Sequence, residues 1–375
     1  MPSRSGGPLR VVQVSFHADS HRRDGASLLS AWPTLSRVAC GAANAGVDVA
    51  VVQSAHADET IQRDGVDFHF VDDAHPRRAR LVSRVAALAP DVVHVHGFHH
   101  ARAVRTLTQA VRPAPVLMQD HGAAEPRGWR RAAWRWAFSA VKGVAFTTRE
   151  QAAPWIESRV LRADLPVFDV LEGSSTFEPG DQSDAQHSTG VFGDPCLLWT
   201  SRLDANKDPL TMLHAVEQAI PHLPNARLWC CHGHAPMLDA VRERIASSDA
   251  LRDRVVLLGT RPHDEMERFH RAADFYLQTS RREAGGFSLL EAMSCGTTPI
   301  ATDIPPTQRI VGDTGSLTPV GDACAMAAAL VAWAGRNRIA LRRATRARFE
   351  AALTFDAVGR QLRATYESLV QSCAS

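Results

Sequence analysis

Two glutamates eight residues apart, Glu283 and Glu291, flank a glycine break in the stretch SRREAGGFSLLEAMSCGTTPIATD, residues 280–303. After Gly285-Gly286, residues Phe287–Ser294 have the composition of a helix start. Glycines ahead of a helix let the backbone approach an anion closely, and the free N–H groups and positive end of the helix then stabilise a phosphate. Glu291 falls about one turn into that helix, and Glu283 lies before the turn on the other side of the same pocket. Ionised carboxylates accept several hydrogen bonds, which suits the vicinal hydroxyls of a ribose or a hexose. A second cluster, TSRLDANKD at 200–208, sets Arg202 and Lys207 around a loop that opens a helix at Asp208-Pro209. Arginine offers a rigid bidentate fork and lysine a mobile point charge, a pair suited to a diphosphate. Taken alone, each cluster also fits a plainer description, solvated glutamates after a glycine loop or surface cations near a helix start.

These residues need strands to place them. Short apolar runs alternate with helical patterns through most of the chain: Val11–Phe16, Val47–Gln53, Asp67–Val71, Asp91–His96, Pro115–Gln119, Gly143–Thr147 and Val167–Leu171, with helices over Ala26–Ala43, Ala101–Val111 and Arg149–Ser158. Runs without polar alternation suit strands covered on both faces, and β/α alternation implies a parallel, doubly wound sheet. Residues 178–195, EPGDQSDAQHSTGVFGDP, lack hydrophobic periodicity and read as a linker. The alternation restarts at Cys196–Thr200, Lys207–Ile220, Ala226–Cys231, Val255–Leu258, Asp274–Gln278 and Thr298–Ala301. The expected organisation is therefore two Rossmann-like α/β domains, 1–177 and 196–355, facing each other across a cleft. Ligands of such sheets sit beyond the carboxyl ends of the strands, where most of the residues singled out here fall.

Length and composition agree with that plan. A chain of 375 residues suits two cores, and 45% hydrophobic with 22% charged residues is ordinary for a soluble protein. A net charge of +2 supplies no global field toward nucleic acid or an anionic membrane. The seven cysteines are scattered, as for free thiols in a reducing compartment. Residues 1–9 read as a frayed tail, the apolar run after them is too short for a signal peptide, and no run approaches a bilayer span. A cytoplasmic location is the expectation.

The Glu-x7-Glu stretch resembles the signature of retaining glycosyltransferases of the family 4 type. The equivalents are Glu283, Gly285-Gly286-Phe287, Leu290-Glu291-Ala292-Met293 and Gly296-Thr297-Thr298-Pro299-Ile300-Ala301, with the glycines and aromatic permuted over Ala284–Phe287. The basic loop is similar to the family's Gly-Arg-Leu-x-x-x-Lys-Gly, with Ser201 and Asp208 in place of the glycines. Cys231–Pro236, Leu258–Pro262 and Ala273-Asp274 with Ser280 extend the similarity over about Cys196–Pro319. The resemblance implies the two-domain GT-B fold, with the last helix, about 356–375, returning to the N-terminal domain. It also implies transfer from a nucleoside diphosphate sugar, UDP first, to a hydroxyl acceptor with retention at the anomeric carbon. Catalytic roles fall on Arg202, Lys207, Glu283 and His121, a histidine beside the transferred sugar. Donor binding would use Gly25, Gly233, Thr260, Arg261, Gly285, Gly286, Phe287, Ser288 and Glu291 as well, with Glu291 on the ribose and Glu283 on the sugar. No cofactor and no metal are implied, because the cations neutralise the departing diphosphate.

Three further features belong to the first half. His94, His96, His99 and His100 cluster without cysteines or an acidic set, so they read as polar residues supporting the cleft rather than a metal site. Residues 126–136, PRGWRRAAWRW, read as an ordinary helix with arginines snorkelling over it, rather than as a membrane-facing or nucleic-acid-stacking one. No strand is followed by Gly-x-Gly-x-x-Gly, which argues against a nicotinamide-dependent oxidoreductase. A catalytically silent nucleotide-sugar-binding module is the remaining alternative.

Overall fold

The computed structural model describes residues 7–73 and 78–374; residues 1–6 of the expected frayed tail lie outside them. The chain forms two compact units, residues 1–173 with 355–375 and residues 174–354. The first contains β1 (Arg10–Ser15), β2 (Asp48–Ala55), β3 (Glu59–Arg63), β4 (Val66–Asp72), β5 (Val92–His96), β6 (Val116–Gln119), β7 (Gly143–Phe146) and β8 (Val167–Asp169). They lie in the order β3-β4-β2-β1-β5-β6-β7-β8. The second contains β9 (Cys196–Thr200), β10 (Arg227–Cys231), β11 (Val255–Gly259), β12 (Phe275–Gln278), β13 (Thr298–Thr302) and β14 (Ser316–Thr318), in the order β11-β10-β9-β12-β13-β14.

Among these strands every pairing is parallel except β3 with β4. The central strands β6, β7, β9, β12 and β13 are buried along their whole length, as helices on both faces require. In each sheet the strand order reverses once, between β1 and β5 and between β9 and β12. A crevice opens at such a point because the connecting helices leave to opposite faces.

Three local expectations change. The helix expected over Ala26–Ala43 is two, Gly25–Ala31 and Pro33–Asn44, because Pro33 drives Trp32 out of the helical region to φ −123° and ψ 66°. The antiparallel edge strand β3 carries no apolar pattern, since nearly all of ETIQR is exposed. The expected linker holds a helix, Gln182–Thr189, capped by Asp181, whose carboxylate accepts from the Asp184 N–H at 2.9 Å. It docks on the helix His263–Ala272 through the single buried Ala185 and through amides: Gln182 and Gln186 each donate to the Ala272 carbonyl at 3.1 Å. A helix held by hydrogen bonds shows no hydrophobic period, and residues 178–195 belong to the second unit.

The last helix, Phe355–Ala374, packs on Pro33–Asn44 in the first unit. Val358, Leu362, Tyr366 and Leu369 form its buried stripe. The two backbones meet at glycines: a Cβ on Gly359 would overlap the Gly41 carbonyl. Gly359→Ala should therefore destabilise the first unit by about 1–3 kcal/mol or more, since backbone cannot yield as a side chain can. Gly335→Ala, whose Cβ meets nothing closer than 3.8 Å, should stay within about 0.5 kcal/mol of the parent in urea unfolding.

Candidate functional site

In the second unit the loops after β9 and β12 are bonded to one another at the point where the strand order reverses. The Arg281 N–H donates to the Asn206 carbonyl at 2.7 Å, the Asn206 amide to the Arg282 carbonyl at 3.0 Å, and the Thr279 hydroxyl to the Lys207 carbonyl at 2.7 Å. Arg281 also pairs with Asp208 at 2.6 Å. Asp208 has φ 47°, the left-handed conformation a glycine takes without penalty. Its carboxylate compensates by accepting from Thr211 N–H and holding Arg281, so the loop closes without the glycine.

This stitching brings Lys207 and Glu283 together. Lys207 Nζ lies 2.5 Å from Glu283 Oε1, with only 15% and 10% of the two side chains exposed. The Gln278 amide donates to the same oxygen at 3.0 Å. Removing either partner of so sheltered a pair leaves a charge poorly compensated. Arg202 stands outside this pair, 56% exposed and 3.2 Å from Asp204.

Beyond Glu283 the buried Gly285 and Gly286 lead into the helix Phe287–Ser294. Gly286 is its N-cap at φ 63° and ψ 39°, and no side chain caps the helix. Phe287 is exposed and Ser288 half-buried at this open end. Glu291, one turn in, accepts from His263 Nε2 at 2.9 Å, while His270 Nε2 stands 3.7 Å from its other oxygen. Burial alone would raise the Glu291 carboxyl, but the His263 hydrogen bond and the two imidazoles outweigh it and hold the group at about 2. The same bond raises His263, whose exposed ring packs on Phe177 at 5.2 Å. Neither histidine was singled out from the sequence. Their spacing of seven, two helical turns, puts both on one helix face and is the signal that could have found them.

The loops after β10 and β11 complete the row. Leu203 N–H donates to the His234 carbonyl at 3.0 Å, His232 N–H to the Gly259 carbonyl at 2.9 Å, and Thr260 Oγ1 to the His232 carbonyl at 3.2 Å. Gly233 is exposed with open space around it, and Arg261 lies over the Phe269 ring at 6.0 Å.

In the first unit His121 follows β6 and is held at both ring nitrogens. Nδ1 lies 3.4 Å from the buried Glu172 carboxylate and Nε2 3.1 Å from His96 Nδ1. A polar chain continues inward: His96 to Gln13 at 3.3 Å, Gln13 to the Tyr366 hydroxyl at 3.3 Å, and Tyr366 to His94 at 2.8 Å. Burial pushes His94 down to about 3 and His96 well below the ordinary histidine range. Burial, with Glu172 nearby, raises Asp120 to about 6 despite the N–H groups of Gly122 and Ala123. Gly25 differs from its expected role. It is buried, its N–H donates to the Glu59 carboxylate of β3 at 3.0 Å, and a Cβ there would strike Glu59 and Phe70. Its amide is thus committed within the protein. Among the described residues no group of three or more His, Cys, Asp or Glu side chains could hold a metal ion.

Comparison with known proteins bears on the chain's sequence and fold. Residues 194–335 match the family described as Glycosyl transferases group 1. GDP-mannose:cellobiosyl-diphosphopolyprenol alpha-mannosyltransferase of Xanthomonas oryzae pv. oryzae is 24% identical over 237 residues, 61% of this chain and 60% of its own length. The Anabaena HepE protein in complex with UDP and glucose superposes with a TM-score of 0.65 at 18% identity, over 96% of this chain and 100% of that one. The catalytic domain of starch synthase IV from Arabidopsis thaliana, bound to ADP and acarbose, gives 0.69 at 13% over 97% and 100%. The fold is GT-B.

The His263–Glu291 pair predicts a pH signature. Glu291, lowered from 4.5 to about 2, contributes stability above pH 4.5 that is lost as pH falls toward 2. His263, raised from 6.5, contributes stability that is complete below pH 6.5 and fades as pH rises through its raised value. The Tm deficit of His263→Ala should thus be greatest between pH 4.5 and 6.5 and shrink above that window. It should be small throughout, because the ring is exposed to screening solvent. Scanning calorimetry over a pH series measures it.

Proposed function

We propose that this chain is a glycosyltransferase that moves a sugar from a nucleoside diphosphate sugar to a hydroxyl acceptor with retention. The observation that carries this reading is the sheltered Lys207–Glu283 pair beside the uncapped helix end at Gly286. A diphosphate entering there meets Lys207, Arg202 and the backbone N–H groups from Gly285 to Ser288. Together they take up the charge that grows on the leaving group, which makes a metal unnecessary. Glu283 then turns from its lysine to the hydroxyls of the transferred sugar. Glu291 holds the ribose, whose hydroxyls replace the exposed His263. The base lies along the Gly233 loop and the Thr260–Arg261 backbone, with UDP as the first nucleotide.

His121 acts beside the transferred sugar. The Glu172 carboxylate, 3.4 Å from its Nδ1, orients the ring. No side chain in the set is poised as a covalent nucleophile, so the acceptor hydroxyl attacks on the face the diphosphate leaves, giving its proton to the departing phosphate. Gly25, with its amide occupied, serves packing. The acceptor is a hydroxyl compound of open identity, and the working location is cytoplasmic.

Calorimetric titration with UDP, GDP, ADP and their sugars, beside turnover assays, tests the roles. Glu291→Ala should weaken free diphosphate and intact donor alike, by about 1–3 kcal/mol for lost hydrogen bonds to a charged group. Glu283→Ala releases Lys207, so the affinity for free diphosphate should hold or rise while turnover falls steeply. Equal losses of diphosphate affinity in both variants would reverse the assignment. Binding without turnover across all donors and acceptors would favour a silent module. Proton NMR of the product's anomeric centre decides retention, and loss of turnover in EDTA with rescue by magnesium would overturn the cation-only leaving-group mechanism.

A further inference from the structure

The helix Trp129–Phe138 in the first unit is built inside out on one face. Its inner side is an ordinary anchor: Ala137 and Phe138 are buried, and Trp134 stacks on Trp155 at 6.0 Å and meets Phe138 at 5.5 Å. The opposite side is apolar as well. Trp129, Ala132, Ala133 and Trp136, at i, i+3, i+4 and i+7, share one stripe, and all four are exposed. Trp129 and Trp136 are 75% and 57% exposed, the two most exposed tryptophan or phenylalanine side chains among the described residues. The helix's own arginines therefore leave both indoles largely exposed, unlike those of an ordinary snorkelling helix.

Charge is segregated around this stripe. The whole chain has 42 basic and 40 acidic residues, yet residues 92–149 contain nine Arg and Lys against two acids, Asp120 and Glu125, and neither acid lies in the helix itself. Arg127, Arg130, Arg131 and Arg135 are exposed on or beside the helix. Arg102 is exposed on the packed neighbouring helix Ala101–Ala110. From that helix Arg105 reaches over Trp136 at 4.8 Å and donates to Ser139 at 3.3 Å, which holds the indole outward. An outward apolar stripe of indoles, flanked by cations on a helix without carboxylates, is costly in water. It matches a surface that is apolar below and anionic above, since indoles favour the interfacial layer and arginines the phosphates over it.

We propose that this face docks the first unit on an anionic phospholipid surface. Trp129 and Trp136 enter the interface, and Arg127, Arg130, Arg131 and Arg135 bind lipid phosphates around them. No helix among the described residues is long and apolar enough to cross a membrane, so the contact is peripheral. The proposal does not depend on the catalytic reading, because it uses none of the residues placed at the site.

Co-sedimentation of the full chain with sucrose-loaded vesicles tests it, comparing phosphatidylcholine alone with phosphatidylcholine plus phosphatidylglycerol. Binding should require the anionic lipid and weaken as salt rises. The Trp129→Ala/Trp136→Ala double variant should lose about tenfold or more in binding. Each of Arg130→Gln, Arg131→Gln and Arg135→Gln should cost about fivefold. All these positions are exposed, so Tm should hold. If the double variant fails to fold, quenching of the parent's tryptophan fluorescence by brominated lipid is the second readout, and its absence rejects the proposal. Parent protein that ignores anionic vesicles, or a double variant that binds like the parent, overturns it. So does a parent dimer in sedimentation, or single-stranded RNA binding, that the double variant abolishes while vesicles go unbound; these would assign the face to a second copy or to nucleic acid.

Discussion

The Lys207–Glu283 ion pair closes a gap of 76 residues between the loop after β9 and the loop after β12. It forms only because those two strands are neighbours at the reversal of strand order. Hydrogen bonds to backbone carbonyls tie the loops together, from the Arg281 N–H, the Asn206 side-chain amide and the Thr279 hydroxyl, and the ion pair sits on that frame. The lysine's charge is therefore balanced where the two loops hold it. In the proposed mechanism a diphosphate exchanges one counterion for another, so no bare buried charge has to be maintained in the empty protein.

Glu291 shows the same economy on the other side of the helix end. Its carboxylate is nearly enclosed and would be costly to ionise without a donor. His263 supplies that donor from an exposed position on the neighbouring helix, and His270 stands behind it, buried, with its Nε2 3.7 Å from the other carboxylate oxygen. In the proposed mechanism a diol takes the place of His263 and keeps the carboxylate satisfied, so selectivity for a ligand with two adjacent hydroxyls would follow from the cost of leaving that carboxylate unpaired.

The first unit uses its terminal helix for more than coverage. Tyr366 comes from the far end of the chain, yet it joins His94, Gln13 and His96 in a buried polar chain that ends at His121. Linked polar groups in a core favour one arrangement, since any shift breaks several bonds at once. The close contact of Gly41 and Gly359 sets the depth at which that tyrosine arrives.

Much of the candidate site was legible in residue order. A carboxylate, a glycine turn and a helix start lie within nine residues, so their mutual placement is local chain geometry. Arg202 and Lys207 are likewise close enough in sequence to be read as a set. The alternation of apolar runs was enough to establish two α/β units, because strands covered on both faces have a distinctive composition. Other features depended on what lies across the sheet or beside the helix, and no local pattern encodes that. Lys207 meets Glu283 only through strand order, and Gly25 loses its amide to Glu59 on an edge strand with no apolar signature. Gln182–Thr189 is a helix because amides dock it, which leaves no period to detect. Trp129 and Trp134 are the same residue type five positions apart, one exposed and one packed. Residue type sets how much apolar surface a side chain carries, while the neighbours that fold against it set how much of that surface remains in water.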